Sequence, residues 1–281
     1  MISFEQALSK LLSLAEYLDV EEVKLEDAYC RVLAVDATSS RDQPPFDTSA
    51  MDGYAVKKID KLPNKNLSVI GKVTAGNSFG RTINKGESVR IFTGAPMPKG
   101  SNSVLIQEDT IPLESGISIR EKFEKKDFVR KKGCDYKAGE ILVQKGKILR
   151  SFDIALLASM NFPIPKVTRQ PRISIISTGD ELVFPGTEPG PNQIVASNTF
   201  GLKALLEKWG ATCHILPIAR DNKLSLEKAL DIAVPADLVI TIGGASVGDH
   251  DYVSEVFRNI EVEYSFYKVA MWPGKPILAG K

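Results

Sequence analysis

Four short stretches carry most of the side chains in this sequence that could do chemistry. They are Ser177-Thr178-Gly179-Asp180-Glu181-Leu182, Ala219-Arg220-Asp221-Asn222, the run from Gly243-Gly244 through Ser246 and Asp249 to Asp251, and Pro273-Gly274-Lys275-Pro276. Gly243 and Gly244 let a backbone come close to a ligand, and amides that open a helix can receive phosphate oxygens. Lys275 can neutralise an oxyanion as a point charge. Asp180, Glu181, Asp221, Asp249 and Asp251 offer hard oxygen donors of the kind that hold a hydrated Mg2+ against phosphates. No GxGxxG follows a strand and no GxxxxGK[ST] is present, so neither a dinucleotide fingerprint nor a Walker loop is indicated. The residue types point to an anionic, phosphorylated ligand with a divalent cation. Any one of these stretches is also explained by a tight turn and a helix cap; it is the four together that point to a site.

The elements around them say how they would be gathered. ISIIST, CHILPIARD, DLVITIGG and VEYSFYKVAM read as strands. NTFGLKALLEKWG, LSLEKALDIAV and YVSEVFRNI read as helices between them, the first stopped by Gly210. Strand and helix alternate, which predicts an α/β domain with a mainly parallel sheet. Ligands of such sheets bind beyond the carboxyl ends of the strands, where the four stretches fall. Upstream, Ser3 and Gln6 form a capping-box pattern before a helical stripe from Ala7 to Leu18. Residues 41–55, rich in Pro, Asp, Ser and Gly, read as a loop between domains. LSVIGKV, SVRIFTG, SVLIQED, ISIREKF and ILVQKGK read as the short strands of a small β domain. Ser151 is the expected N-cap of a helix ending near Met160.

The composition excludes several classes. Lys plus Arg is 36 and Asp plus Glu is 35, a formal net charge of +1, so no global field favours nucleic acid or a membrane surface. Residues 120–132 hold seven basic residues against three acids, which reads as a solvated strand face. No apolar run reaches the roughly 20 residues of a membrane span. The opening MISFEQALSK lacks the basic-then-apolar pattern of a signal peptide. Cys30, Cys134 and Cys213 are scattered and odd in number, which suits a reducing compartment better than a disulfide framework. His214 and His250 alone cannot make a zinc site.

At these motifs the chain resembles the molybdopterin molybdenumtransferase family, which contains the bacterial MoeA proteins and the E domain of gephyrin. The stretches that carry the resemblance are PPFDTSAMDGYAV, IFTGAPMP, VRKKGCDYKAGE, ISIISTGDEL, IARDN, GGASVGDHDY and KVAMWPGKP. SAMDGYAV, TGDEL and GGxSVGxxDY in this order form a specific combination. The resemblance implies an α/β multidomain fold with three parts. Residues 1–45 and 140–170 form a mixed α/β dimerisation and linker domain, 46–139 an inserted small β domain, and 171–281 a molybdopterin-binding-like α/β domain, incomplete at its C-terminal side.

The resemblance also implies chemistry. Adenylated molybdopterin and molybdate are the substrates, Mg2+ the cofactor, AMP and molybdenum cofactor the products. It implies a cytoplasmic homodimer whose active site is shared between subunits, fed by a molybdopterin adenylyltransferase, with no nucleic acid or membrane partner. Carried over by motif, Asp52, Glu181, Asp221, Asp251, Lys268 and Lys275 are the catalytic set. Thr93, Arg130, Asp135, Thr178, Gly179, Asp180, Gly243, Gly244, Ser246, Pro273 and Gly274 bind substrate. Glu181, Asp221, Asp249 and Asp251 hold the metal. Two departures stand out. Trp272 occupies a position before PGKP that is usually basic or polar. Family members also continue past Gly280-Lys281 through an LPGNP-type loop, more sheet and a small β domain. A fragment, or a short inactive or scaffold-type member of the fold, is therefore an alternative. A nucleotide pyrophosphatase or deamidase-type enzyme is a third, but it leaves SAMDGYAV and the inserted β domain unexplained.

Overall fold

The computed structural model describes residues 1–233, 235–244 and 252–281. Five helices are present among them: α1 Phe4–Ser13, α2 Ser151–Ser159, α3 Asn198–Lys208, α4 Lys223–Ala233 and α5 Tyr252–Asn259. None is long and apolar enough to cross a membrane. The chain forms two compact units. One comprises Met1–Val35, Gly146–Ile154 and Pro163–Lys281, the other Asp36–Lys145 and Ala155–Phe162.

In the first unit, the strand Arg172–Ser177 is central to a parallel sheet between Thr212–Ile215 and Leu238–Ile242. Its residues after Arg172 are all buried, Ile173, Ile175 and Ile176 together with Ser174 and Ser177. Alternation sends Ile176 to one face, against Leu226, Leu230, Val253 and Val256 of α4 and α5. Ile173 and Ile175 go to the other, with Leu202 and Leu206 of α3. The expected fourth strand does not join this sheet. Tyr264–Tyr267 pairs antiparallel with Leu278–Gly280 instead, and the ribbon covers Ala7 of α1 with Phe266 and Val269. Parallel pairing therefore makes up the three-stranded sheet and the small Leu182–Val183/Ile194–Val195 pair, while the other sheets are antiparallel or mixed. A second small sheet places Lys166–Thr168 between Val20–Glu22 and Val32–Leu33.

Two helix ends differ from expectation. The capping box of α1 forms, Ser3 Oγ accepting from Gln6 N–H and Gln6 Oε1 from Ser3 N–H. The helix stops at Ser13, short of Leu18, and of its apolar stripe only Ala7 is buried. Ser151 is the first residue of α2, not its cap. Asp153 satisfies the start by accepting from Arg150 N–H at 2.9 Å while Lys147 Nζ lies 2.5 Å from its other oxygen.

The second unit is built on a six-stranded mixed sheet. Its order is Ser103–Ile106, Gly53–Val56, Glu87–Ile91, Asn66–Val73, Gly116–Ile119 and Thr110–Leu113. Ala55, Val89, Ile91 and Val104 pack on one face; Val56, Leu67, Leu105 and Ile117 on the other. The segment read as an interdomain loop therefore contributes an inner strand, Gly53–Val56. Glycine is required at its start, because a Cβ on Gly53 would stand 2.0 Å from Leu105 O. A buried carboxylate pins one edge: Asp60 Oδ1 accepts from Lys65 Nζ at 2.5 Å and Oδ2 from Gly86 N–H at 3.0 Å. Lys61, also buried, donates to the carbonyls of Glu124 and Lys126.

Candidate active site

The parallel sheet ends where the motifs begin. Thr178 N–H donates to Ile242 O at 2.9 Å, and Gly179 N–H to Ala219 O at 3.1 Å. These bonds bind the starts of three loops to one another. Gly243 and Gly244 have φ of +93° and +68°, and Cβ atoms there would stand 2.6 Å from Thr178 O and 2.7 Å from Thr178 Oγ1. Both glycines are thus demanded by backbone conformation and by Thr178. Thr178 Oγ1 is buried and has no hydrogen-bond partner among the described residues. Buried hydroxyls are normally satisfied, and the partner of this one is not among the described residues.

Asp180 and Asp221 are brought together. Asp221 N–H donates to Asp180 Oδ1 at 3.2 Å, and Asp180 N–H to Asp221 Oδ2 at 3.4 Å. Glu181 folds back so that its Oε2 would stand 2.5 Å from a Cβ on Gly179, whose φ is +151°. Asp180 and Asp221 are the acids brought together; Glu181 sits on the same turn with its carboxylate against Gly179. Asn222 caps α4 by accepting from Ser225 N–H, which fixes the neighbouring Asp221 to a rigid element. Among the described residues no group of three His, Cys, Asp or Glu has the arrangement of a metal site. A hydrated Mg2+ takes only one or two carboxylates from protein, and Asp180 and Asp221 are the pair that would supply them. Ser246, Asp249 and Asp251 lie outside the described residues.

Lys268, Pro273, Gly274 and Lys275 share the loop between Tyr264–Tyr267 and Leu278–Gly280. Val269 N–H bonds Lys275 O and Lys268 N–H bonds Ile277 O, closing its base. Lys268 has φ +69°, and its ammonium lies 4.7 Å from the Tyr267 ring centroid. Trp272 is 94% exposed.

The second unit holds the remaining acids. Asp52 Oδ1 accepts from both Thr93 N–H and Thr93 Oγ1, each at 2.8 Å. These two bonds, Thr93 N–H first, hold the Asp52 carboxyl below the usual carboxylate range, and the Arg90 charge adds to them. Arg90 is fixed by Gly53 O and Gln107 Oε1 and lies over the rings of Tyr54 and Phe92. Arg130 and Asp135 are brought together as a 2.5 Å ion pair, which raises the Arg130 guanidinium's affinity for its proton. The basic residues of 120–132 are exposed, as a solvated face requires, although the stretch is strand just at Val129–Arg130. Lys131 pairs with Asp47 and Lys132 with Asp42.

Two arginines of these sites carry no role in the sequence reading. Arg90 sits in SVRIFTG, three residues before Thr93, and Arg220 in ARDN, next to Asp221. Arg220 Nη1 donates to the carbonyls of Asp180 at 3.0 Å, Leu182 at 3.3 Å and Gly179 at 3.4 Å. For Arg220 the missed signal was a cation directly beside a carboxylate, Asp221.

Residues 2–161 match the family described as MoeA N-terminal region (domain I and II), and residues 174–281 the family described as probable molybdopterin binding domain. The chain belongs to the MoeA family. A molybdopterin molybdenumtransferase of Haemophilus influenzae is 38% identical over 284 residues, spanning 100% of this chain and 70% of that protein. One of Nostoc sp. is 40% identical over 266 residues, spanning 92% of this chain and 61% of the relative. The crystal structure of the molybdopterin biosynthesis MoeA protein from Pyrococcus horikoshii superposes with a TM-score of 0.87 at 34% identity, covering 100% of this chain and 72% of that one. The MoeA fold seen there is the mixed-sheet α/β arrangement described above.

Proposed function

We propose that this chain acts in molybdenum cofactor biosynthesis as a molybdopterin molybdenumtransferase. It takes adenylated molybdopterin and molybdate, cleaves the adenylate with Mg2+ present, releases AMP, and leaves molybdenum on the pterin dithiolene. The observation that carries this reading is the end-to-end likeness to proteins of that name, at 38% identity across the whole chain. The paired Asp180 and Asp221 at the sheet's carboxyl edge, with Glu181 on the same turn, support it.

Such a cleavage needs positioning and charge neutralisation more than covalent chemistry from the protein. Mg2+ would supply a charge that offsets the phosphates, held by Glu181 and Asp221 with Asp249 and Asp251. Lys268 and Lys275 counter the anionic substrates, and Thr178 Oγ1 donates to a ligand oxygen beside Gly243 and Gly244. Asp52, Thr93, Arg130 and Asp135 act from the second subunit of a homodimer. The exposed apolar residues of α1, Phe4, Leu8, Leu11 and Leu12, support a dimer contact. A molybdopterin adenylyltransferase supplies the substrate in the cytoplasm, a setting that suits three free cysteines.

The test is AMP release from the purified 281-residue chain loaded with adenylated molybdopterin and Mg2+, with and without molybdate. Release that depends on molybdate is expected. Bound substrate with no release in either condition refutes catalysis by this chain.

A further inference from the structure

Acids in this protein are held in two ways. Asp42, Asp47 and Asp135 are bound directly by Lys132, Lys131 and Arg130. Asp180, Glu181 and Asp221 have no ion pair among the described residues, although an arginine stands among them. That arginine, Arg220, spends its Nη1 on three main-chain carbonyls of the turn that carries two of the acids. Its neighbour Asp221 grips the same turn from the amide side, through Asp180 N–H. Arg220 N–H is itself tied to Ser225 Oγ at 2.9 Å, at the start of α4. One dipeptide thus fastens the 178–182 turn at both its carbonyls and its amides.

This arrangement has a physical consequence. A guanidinium never loses its charge, and here one of its nitrogens, Nη1, holds three carbonyls of the turn while making no bond to the carboxylates. Resting on the function proposed above, we infer that Arg220 is the positioning residue of the carboxylate cluster. It fixes the 178–182 turn so that Asp180, Glu181 and Asp221 face a divalent cation and the phosphates of the ligand.

The experiment uses the full chain, Arg220→Met and Arg220→Lys, with Mn2+ alone as the probe. Amide resonances of residues 179–182 and 221 report the turn, and their paramagnetic broadening reports the cation. Supporting partners behind metal ligands typically set affinity by about 10–100-fold, so Arg220→Met should shift these resonances and weaken Mn2+ binding at least about tenfold. Arg220→Lys should fall between it and the native chain. Ser225→Ala, which frees the Arg220 main chain but not its guanidinium, controls for general loosening and should leave Mn2+ affinity within about twofold. Unmoved 179–182 amides and unchanged Mn2+ affinity in Arg220→Met would overturn the inference. A native chain that fails to bind Mn2+ counts against the divalent-cation part of the proposed function. The amide shifts alone then decide whether Arg220 positions the turn.

Discussion

Gly243 offers a sharp test of how rigidly the strand ends are held. At φ +93° an L-residue is strained, by about 1–2 kcal/mol. A Cβ would also stand 2.6 Å from Thr178 O and 2.9 Å from Thr178 Oγ1. Thr178 cannot yield easily, because its N–H bonds Ile242 O and its backbone bridges Ala219. Overpacking against such a neighbour adds about 1–3 kcal/mol. The smaller unfolded-state entropy of alanine returns about 0.4–1 kcal/mol. Gly243→Ala should therefore destabilise the chain by about 1–4 kcal/mol in urea melts. Gly186 is the built-in control: its φ is +92°, yet nothing lies within 4 Å of a Cβ there. Gly186→Ala carries the backbone strain alone, and the difference between the two variants isolates the Thr178 contact. Equal melts for both would refute the claim that Gly243 is needed for close approach to Thr178.

Three further outcomes follow from described contacts. Burial opposes ionisation of Asp60, but Lys65 and the Gly86 N–H outweigh it and hold its carboxyl below the ordinary 3.8. Its stabilising effect is thus present above that value and is lost as pH falls through the lowered one. Asp60→Asn should flatten this acid limb in melts from pH 5 to pH 2, and an unchanged limb would count against the buried pair. Thr93→Val removes one of two donors to Asp52 and keeps the other. AMP release should fall about two- to tenfold, and an unaltered rate would remove Asp52 orientation from the argument. Trp272→Lys adds a cation between Lys268 and Lys275, so molybdate affinity should rise about threefold or more at low salt. Equal or weaker binding by titration would show that the indole does not occupy an anion subsite.

What could be read from residues alone divides along physical lines. Arg172–Ser177, Thr212–Ile215 and Leu238–Ile242 were legible as short segments with β-branched residues that alternate with helical patterns. Helices α3, α4 and α5 were legible from their period. Gly53–Val56 was not, because a four-residue strand that begins with glycine after a proline-rich loop has no periodicity to show. Whether Tyr264–Tyr267 would join the parallel sheet or fold against Leu278–Gly280 depends on pairing, which local pattern does not encode. At the site, Asp180 and Asp221 were readable as acids at strand ends. Their reciprocal hydrogen bonds, and the turn held by Arg220, depend on two loops 41 residues apart in sequence meeting at one sheet edge.

The small sheet that holds Lys166–Thr168 between Val20–Glu22 and Val32–Leu33 constrains how the protein can be made. Those two N-terminal strands have no direct pairing with each other; the later strand is the bridge. On a ribosome the first 33 residues must therefore wait until residue 168 has emerged. At about 5–20 residues per second, that is on the order of ten seconds with their sheet edges unpaired. The six-stranded sheet of the other unit needs only residues emerging before that point, so it can form first. Assembly of the N-terminal sheet is then a long-range closure around an already folded insert. Variants that slow or unfold the insert should reveal themselves as aggregation of nascent chains, even when the finished protein is stable.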